Sequence, residues 1–415
     1  MNIYMSHKIK SVYFYNYFVT FNFDLPVRKN CIGLAYVTFC ICNGINDINT
    51  IASHLIEKFN IIDDLEKAKK TILFHTIEDN SVRKAFTLDI SEANIKPTMH
   101  GAFGKNYPEL LHMELTSKCN FMCDHCYKNA MSNGSCAEFS FIEKNIYQRL
   151  KGIIPVVHFT GGEATLHKDF EKIINLFSND YILQLTTNGS KITSYPIEIF
   201  KKFQSIDVSL YGLSADEYKN NTGNSQSFHL VTEGCRALKS ADINYRTTLV
   251  LNNNNWHQME DYVRYAIAVG ADSFGFALPM TSGKLINATD NKWYLSKDVK
   301  RKIYRTYRLI CDKYSDNIKI SDWYRYNYSE MWKEYPADDS LRCGAGRTNW
   351  WMSEKFTFRP CAFLPNEYIN LDYATWYSYI SNQHEIDWKR ARKGLELFAS
   401  DKNLDITDFC SIFRK

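Results

Sequence analysis

Six strand-like stretches alternate with amphipathic helical stretches between residues 107 and 305 of this 415-residue chain. The predicted strands span residues 112–116, 156–160, 182–186, 206–210, 245–251 and 273–278, and the predicted helices between them include 139–150, 169–177, 228–240 and 257–269. Repeated βα units favour a parallel sheet with right-handed crossovers. Six such units predict an α/β fold with a partial (β/α)₆ barrel, and its chemistry is expected at the C-terminal ends of the strands.

Two further segments flank the predicted barrel. Apolar and aromatic residues alternate from Val12 to Phe23, which predicts paired strands, and residues 32–43 predict a buried apolar helix. Two more helical repeats follow, so residues 1–100 are expected to form a winged-helix-like domain, closed by a polar link at 92–106. Residues 306–415 are aromatic-rich, show no repeat and form the third predicted domain.

The composition argues against several classes of function. A formal net charge of +4 is too small to indicate nucleic-acid or membrane binding. No apolar run is long enough to span a bilayer or to act as a secretory signal, so a cytoplasmic protein is expected. Because the cytosol keeps thiols reduced, any clustering among the twelve cysteines indicates metal ligation in preference to disulfides.

Three cysteines directly follow the first predicted barrel strand, in the stretch Cys119-Asn-Phe-Met-Cys123-Asp-His-Cys126. Three neighbouring thiolates can hold three irons of a [4Fe–4S] cluster and leave the fourth iron open for a substrate or cofactor. A zinc knuckle is the alternative. Structural zinc takes four ligands, however, and the nearby fourth candidate, His125, would have to fold back between two of the others.

The triplet and the stretch Glu114-Leu-Thr-Ser-Lys-Cys119 before it resemble the radical S-adenosylmethionine (SAM) superfamily. Thr160-Gly-Gly-Glu163, at the end of the second predicted strand, resembles the family's motif for the methionine amino group. Glycines let the backbone approach a ligand closely, and a carboxylate pairs with an ammonium. The resemblance implies that Gly161, Gly162 and Glu163 bind SAM.

Two later strand ends match the same family in order. They are Thr186-Thr187-Asn188-Gly189 and Val208-Ser209-Leu210-Tyr211-Gly212. The resemblance implies that Thr187, Asn188 and Ser209 line the ribose and carboxylate side of the cofactor. The alternative for each is a strand end followed by an ordinary turn.

His125 and Tyr127 flank the last cysteine, where the family often places a ring against adenine; simple packing is the alternative. The resemblance implies that the reduced cluster passes one electron to SAM. The resulting 5′-deoxyadenosyl radical would then abstract a hydrogen atom from the substrate. No catalytic base is indicated by the sequence.

Cys343-Gly-Ala-Gly346 and Arg359-Pro-Cys361 resemble the opening of the SPASM/Twitch domains, which carry auxiliary iron–sulfur clusters. Glu354-Lys355 replaces the usual glycine turn before the second cysteine, and only Cys410 remains downstream. The resemblance therefore implies one auxiliary cluster on Cys343, Cys361 and Cys410. Three reduced, buried thiols are the alternative.

Residues 1–100 resemble the precursor-peptide recognition domain of ribosomal-peptide maturases, which binds a leader peptide as an added strand at an exposed sheet edge. A DNA-binding winged helix is disfavoured because no Lys/Arg-rich recognition helix is present, and a structural cap is a further alternative.

The resemblances together imply a radical SAM maturase of a ribosomally made peptide, served by an external one-electron reductant. Intramolecular cross-linking through a C–C, ether or thioether bond is the expected reaction. Peptide epimerisation is an alternative, with Cys136, Cys235 or Cys311 as hydrogen donors. A non-catalytic, metal-containing peptide carrier is the alternative from another class.

Overall fold

The computed structural model describes residues 1–9, 11–15, 18–22, 27–30, 32–59, 64–78, 85–94, 98–105, 107–280, 282–288, 291–321, 345–346, 348–362 and 370–381. The chain divides into two compact units. The N-terminal unit is built mainly from Met1–Leu110, and the barrel unit mainly from Leu111–Arg149 and Val156–Trp376.

The N-terminal unit combines two small sheets with three helices. Its strands are β1 (Tyr4–Ser6), β2 (Ser11–Tyr15), β3 (Phe18–Asn22), β4 (Val27–Asn30), β5 (Phe86–Thr87), β6 (Ala93–Asn94) and β7 (Thr98–Gly101). Its helices are α1 (Ile32–Cys42), α2 (Ile48–Phe59) and α3 (Leu65–Leu73), followed by a π-helical turn at Phe74–Glu78 and a 3₁₀ turn at Ile90–Glu92. One sheet has the order β4-β3-β2-β7, with only β2 and β7 parallel, and the other is antiparallel with the order β5-β1-β6.

The core of the N-terminal unit forms around α1. This helix consists almost entirely of apolar residues, which is typical of a helix buried on all sides. Phe39 on α1 packs edge-to-face on Phe14 of β2, with ring centroids 5.8 Å apart. The prediction of a simple polar link at 92–106 was wrong, because β6 and β7 lie within it and pair with β1 and β2. Pairing with a neighbouring strand outweighs the weak strand preference of these residues.

The barrel unit contains nine strands within the described residues. They are β8 (Leu110–Glu114), β9 (Val156–Thr160), β10 (Ile182–Thr187), β11 (Phe203–Leu210), β12 (Tyr245–Val250), β13 (Ser273–Ala277), β14 (Lys319–Ile320), β15 (Asn349–Met352) and β16 (Phe358–Arg359). The helices are α4 (Phe139–Phe141), α5 (Gln148–Leu150), α6 (Phe170–Phe177), α7 (Ala215–Thr222), α8 (Ser227–Ser240), α9 (Met259–Val269), α10 (Lys297–Tyr314) and α11 (Tyr373–Ser381). A π-helical segment, Ile142–Tyr147, joins α4 to α5, and short 3₁₀ segments span Ala164–Leu166, Ile192–Ser194, Ile197–Lys202, Trp256–Gln258 and Gly283–Asn287.

These nine strands form one sheet in the order β14-β13-β12-β11-β10-β9-β8-β15-β16. Consecutive strands from β9 to β14 pair in parallel, and the hairpin β15–β16 is antiparallel. The six predicted strands are confirmed, with ends that differ by up to three residues. The predicted α/β fold with a partial barrel is therefore confirmed, and β14, β15 and β16 extend its sheet.

The two faces of this sheet differ in character because side chains alternate along each strand. On one face Phe159 of β9 is fully buried and packs against Phe177 of α6, with ring centroids 5.6 Å apart. The residues that alternate with the buried ones on neighbouring strands are polar and half-buried. This second face, called the polar face below, carries His158, Thr186, Asp207, Arg246 and Thr248.

Among the described helices, none combines the length and the apolar character that a bilayer crossing requires.

Phe14 offers a test of the N-terminal core. Replacing this fully buried ring with alanine should cost about 3–5 kcal/mol of unfolding free energy, because the cavity cannot fully collapse. Urea denaturation would measure the loss. Ile90→Ala, at a position with 59% of its surface exposed, is the matched control and should change stability by less than about 0.5 kcal/mol. Equal losses in both variants would contradict this placement of the core.

Candidate functional site

The three cysteines lie on a loop whose two arms pair with each other. This segment, residues 115–137, is called the cysteine loop below. Its arms are joined by backbone hydrogen bonds from Ser117 N to Ser135 O (2.9 Å), Cys119 N to Met131 O (3.0 Å) and Ala137 N to Leu115 O (2.9 Å). The loop thus starts and ends next to β8 with a defined backbone shape.

Loops that follow four other strands hold the cysteine loop from outside. Gly162 N and Glu163 N, after β9, donate to Thr116 O (2.6 Å) and Lys118 O (2.8 Å). Asn188, after β10, donates through its side chain to Asn120 (3.0 Å). After β11, Thr222 O accepts from Met122 N (2.9 Å), and after β13, Lys284 N donates to Cys126 O (3.1 Å). The C-terminal ends of the strands therefore converge on the triplet, as the sequence predicted.

Two of the three sulfur atoms accept hydrogen bonds. Cys119 Sγ accepts from the Phe121 N–H at 3.4 Å and from the Asn188 amide at 3.9 Å. Cys126 Sγ accepts from the Ala130 N–H at 3.4 Å. Hydrogen bonds to sulfur stabilise thiolates and help to set the potential of a cluster that they bind.

The thiols lie close enough to influence one another's protonation. Burial raises the pKa of Cys119 to about 12, and the charges of Glu163 and Cys126 add to the effect. Burial also raises the pKa of Cys123, and the charges of Cys126 and Cys119 raise it further. Buried, adjacent thiolates are therefore unstable without a cation, and iron would supply the compensating charge.

No three His, Cys, Asp or Glu side chains in the described part of the chain are arranged to hold a single metal ion. Three sulfurs that each bind a different iron of one cluster need not meet at one point. The donor set of three neighbouring cysteines, Cys119, Cys123 and Cys126, thus fits a [4Fe–4S] cluster better than mononuclear zinc.

Gly161 and Gly162 bring the turn after β9 against the cysteine loop. Gly161 has φ of +142°, and a Cβ there would lie 2.5 Å from Thr116 O. A Cβ on Gly162 would lie 2.2 Å from Lys118 O. The sequence predicted that these glycines let the backbone approach a ligand. In the structure they let it approach the strand end that leads into Cys119.

Glu163 is almost fully buried and its carboxylate accepts four hydrogen bonds. Oε1 accepts from Thr165 N (3.1 Å), Thr165 Oγ1 (2.6 Å) and Thr187 Oγ1 (2.7 Å), and Oε2 accepts from Asn188 N (2.6 Å). Burial raises the pKa of Glu163, and these hydrogen bonds oppose that rise. Oε2 keeps lone-pair capacity for one further donor, such as an ammonium group.

Asn188 links the carboxylate to the triplet. Its backbone N–H binds Glu163, while its side-chain amide reaches Cys119 Sγ and Asn120. Ser190 closes the network, because its hydroxyl donates to Asn188 Oδ1 (2.7 Å) and accepts from Asn120 Nδ2 (2.9 Å). Sequence reasoning missed Asn120, although it stands directly after the first cysteine of the motif.

Aromatic side chains surround the other end of the triplet. His125 packs between Tyr211 and Trp293, with ring centroids 6.1 Å and 4.5 Å away. Burial lowers the pKa of His125 to about 4, so its imidazole is neutral, and its Nδ1 has no hydrogen-bond partner among the described residues. Burial raises the pKa of Tyr211 well above its usual value, the charge of Cys123 raises it further, and Ser209 lowers it. Sequence reasoning quoted Tyr211 without giving it a role.

Tyr127 lies apart from this aromatic group. Its ring stands edge-on to Trp351, with centroids 6.1 Å apart. Of the cysteines predicted to hold an auxiliary cluster, Cys361 is half-buried, and Cys343 and Cys410 lie outside the described residues.

The sequence model of the Radical SAM superfamily matches residues 113–266. Residues 113–266 form a radical SAM domain. This span contains the cysteine triplet, the Gly-Gly-Glu turn, Asn188 and Ser209.

Curated relatives extend the likeness of this chain beyond that domain. The antilisterial bacteriocin subtilosin biosynthesis protein AlbA of Bacillus subtilis is 20% identical over 341 residues, which cover 79% of this chain and 71% of AlbA. The S-adenosylmethionine-dependent nucleotide dehydratase of Selenomonas ruminantium is 30% identical over 106 residues, which cover 24% of this chain and 38% of the dehydratase. The chain thus spans most of AlbA but well under half of the dehydratase.

Solved structures share the fold. Streptococcus suis SuiB bound to its precursor peptide SuiA has a TM-score of 0.63 at 13% identity, over 99% of this chain and 94% of SuiB. The enzyme anSMEcpe with bound AdoMet and a peptide has a TM-score of 0.52 at 16% identity, over 73% of this chain and 88% of that protein. These likenesses, all at low sequence identity, show a shared fold and no more.

Gly162→Ala tests the contact between the turn after β9 and the cysteine loop. The added Cβ would overlap the fixed backbone oxygen of Lys118, so the loop must move and its sulfurs must separate. We expect iron content after anaerobic reconstitution to fall by at least half. Gly152→Ala is the control, because its Cβ would meet nothing within 4 Å. Its positive φ should cost about 1 kcal/mol of stability but leave iron content unchanged. Full iron loading of Gly162→Ala would contradict the assigned role.

Proposed function

We propose that this radical SAM enzyme holds a [4Fe–4S] cluster on Cys119, Cys123 and Cys126 and modifies a ribosomally made precursor peptide. The proposal is carried by the Asn188 network, which joins the buried carboxylate of Glu163 to the sulfur of Cys119. Glu163 would offer a negative charge, and a cluster held by the three cysteines would offer an iron without a protein ligand. This pairing suits the amino and carboxylate groups of SAM's methionine part.

When bound, the cluster and SAM supply a one-electron cleavage that yields a hydrogen-abstracting radical. The chain's own contribution is binding, orientation and exclusion of water. Glu163, fixed by four hydrogen bonds, can accept from the methionine ammonium without moving. Thr187, Asn188 and Ser209 would line the ribose and carboxylate side, and His125 with its unpartnered Nδ1 would lie toward adenine.

The polar face of the sheet is the proposed surface for the core of the peptide. His158 Nε2 and Thr186 Oγ1 are hydrogen-bonded at 2.8 Å, and Thr248 Oγ1 donates to Asp207 at 2.7 Å. Arg246 donates to Thr248 at 3.0 Å, in space that Gly275 leaves open. Half-buried groups already paired with one another can orient a polar backbone without leaving buried charge unpaired.

The leader of the precursor is proposed to add as a strand to β4 in the N-terminal unit. Within the described residues β4 has one strand neighbour, β3, so its second edge is open to a peptide strand. The opposite edge of the same sheet is less suitable, because Gly101 N of β7 already donates to Gly152 O at 3.0 Å. AlbA is named for bacteriocin biosynthesis, and SuiB binds a precursor peptide in its solved structure, which supports this choice of partner.

We further propose one auxiliary iron–sulfur cluster on Cys343, Cys361 and Cys410, and an external one-electron reductant. Such clusters favour net oxidative reactions, because the surplus electron needs an acceptor. Cross-linking of the core peptide is therefore the proposed reaction. Because its thiol ligands must stay reduced, the enzyme is proposed to work in the cytoplasm.

The cysteine triplet gives the first test. Replacing Cys119, Cys123 or Cys126 singly with alanine should abolish formation of 5′-deoxyadenosine from SAM, because an iron loses its protein ligand. Chromatography of reaction products after dithionite reduction would show this. Cys136→Ala, in the same loop, is the control and should retain cleavage. Unchanged cleavage in any triplet variant would rule out this cluster site and favour a non-catalytic carrier.

The mass of a short peptide encoded beside the gene would distinguish the two candidate reactions. A loss of two hydrogens on co-expression indicates a cross-link. An unchanged mass with deuterium uptake from heavy water indicates epimerisation, in which a thiol returns the hydrogen atom. Cys235 is a poor donor for that step, because it is fully buried in α8.

Proline at Arg28 and, separately, at Lys29 tests leader binding. Successive backbone N–H groups of an edge strand in an antiparallel sheet point alternately toward and away from the neighbouring strand, and proline removes one. We expect one variant to melt like the unmodified protein but to bind a labelled leader peptide at least ~10-fold more weakly, since a lost strand pairing costs several hydrogen bonds. The other should be destabilised. Fluorescence anisotropy and thermal melting measure the two effects.

Thr98→Pro and Met99→Pro, on the opposite edge strand β7, are the controls for leader binding. The variant of this pair that folds should bind the leader normally. If a folded β4 variant binds as tightly as the unmodified protein, the leader does not use β4.

A further inference from the structure

Four buried charged side chains form an ionic network beside the cysteine loop. Glu114 lies at the end of β8, Lys128 in the cysteine loop, Glu354 in the turn between β15 and β16, and Arg359 at the end of β16. Lys128 Nζ contacts Glu114 Oε2 at 2.5 Å and Glu354 Oε2 at 2.7 Å, while Arg359 contacts Glu114 Oε1 at 2.7 Å. These four residues are called the buried quartet below.

Burial strengthens the ion pairs of the buried quartet and makes the loss of any one partner costly. Each of its four side chains exposes 10% or less of its surface. Its two carboxylates and two cations sum to zero charge, so the network is balanced only when all four are present. Removing one partner would leave an uncompensated buried charge, which is strongly destabilising. With little water nearby, such a charge also acts over a longer distance than one at the surface.

Two members of the buried quartet lie within the cysteine loop or directly before it. Lys128 stands between Cys126 and Ala130, whose N–H donates to Cys126 Sγ at 3.4 Å. Glu114 is five residues before Cys119 on the same chain segment. Any change in the position of Lys128 therefore acts on the backbone that wraps the sulfur of Cys126.

The hairpin β15–β16 supplies the other half of the buried quartet. Glu354 stands where SPASM-type sequences usually have a glycine turn, and its second carboxylate oxygen accepts from Ser135 in the cysteine loop at 3.2 Å. Arg359 stands two residues before Cys361. Glu354, which replaces the expected glycine turn, is thus a residue that joins this hairpin to the cysteine loop.

We propose that the buried quartet positions the cysteine loop and sets the reduction potential of the cluster held there. Net charge and hydrogen bonding near the sulfurs are two of the protein's means of tuning such a potential. This inference rests on the proposed [4Fe–4S] site. Lys128 and Glu354 act through the loop and the local field, so they are positioning residues.

Two variants that change the net charge of the buried quartet in opposite directions test its effect on the reduction potential of the cluster. Full-length protein would be reconstituted anaerobically, and the midpoint potential would be followed by the EPR signal that changes on addition of SAM. Lys128→Met leaves one excess negative charge and should shift the potential to a more negative value. Glu354→Gln leaves one excess positive charge and should shift it to a more positive value. A purely structural role would move both variants in the same direction or neither, and either result overturns the proposal.

The double variant Lys128→Met/Glu354→Gln restores neutrality, because it leaves the Glu114–Arg359 pair. Its potential should return toward that of the unmodified protein. If Lys128→Met fails to load iron while the double variant loads fully, the unpaired charge and not the missing lysine displaces the loop, as proposed. Failure of both to load iron overturns the proposal. Lys201→Met breaks a surface pair with Glu198 and should shift nothing.

Different results would overturn the cluster site and the role of the buried quartet. Retained SAM cleavage in Cys119→Ala would overturn the assignment of the cluster site itself. Normal SAM cleavage in the unmodified protein together with unshifted potentials in both single variants would remove only the role of the buried quartet.

Discussion

Two backbone hydrogen bonds hold the candidate site together, from Gly162 to Thr116 and from Glu163 to Lys118. They bring the end of β9 against the start of the cysteine loop at a distance that only residues without a side chain permit. These two hydrogen bonds therefore fix the positions of both the Glu163 carboxylate and the segment that carries Cys119. Asn188 then adds a side-chain link between the same two groups.

Much of the barrel could be predicted from sequence because the patterns that indicate it are local. The βα alternation sets the order of the strands, and the Cys-x-x-x-Cys-x-x-Cys and Gly-Gly-Glu motifs each lie within eight residues. The buried quartet could not be predicted in this way, since Glu114 and Arg359 are separated by 245 positions. Strands β6 and β7 were missed for a similar reason, because their partners β1 and β2 lie far earlier in the chain.

The glycines and Glu163 show a subtler limit of sequence reasoning. A motif identifies residues near a ligand, but it does not reveal which protein groups those residues already contact. Gly161 and Gly162 face backbone oxygens of the cysteine loop, and Glu163 accepts four hydrogen bonds from its own chain. A carboxylate oriented in advance loses little conformational freedom on binding an ammonium group, so its burial is also a form of preorganisation.

The cysteine loop is held by segments that follow β9, β10, β11 and β13, at sequence separations from about 40 to 160 residues. Contacts of such long range form only after most of the intervening chain has collapsed. During synthesis on the ribosome, the three thiols would therefore emerge well before the polypeptide that shapes their surroundings. If these thiols hold the proposed cluster, iron loading would follow closure of the sheet, and nascent chains would expose three free thiols to oxidants until then.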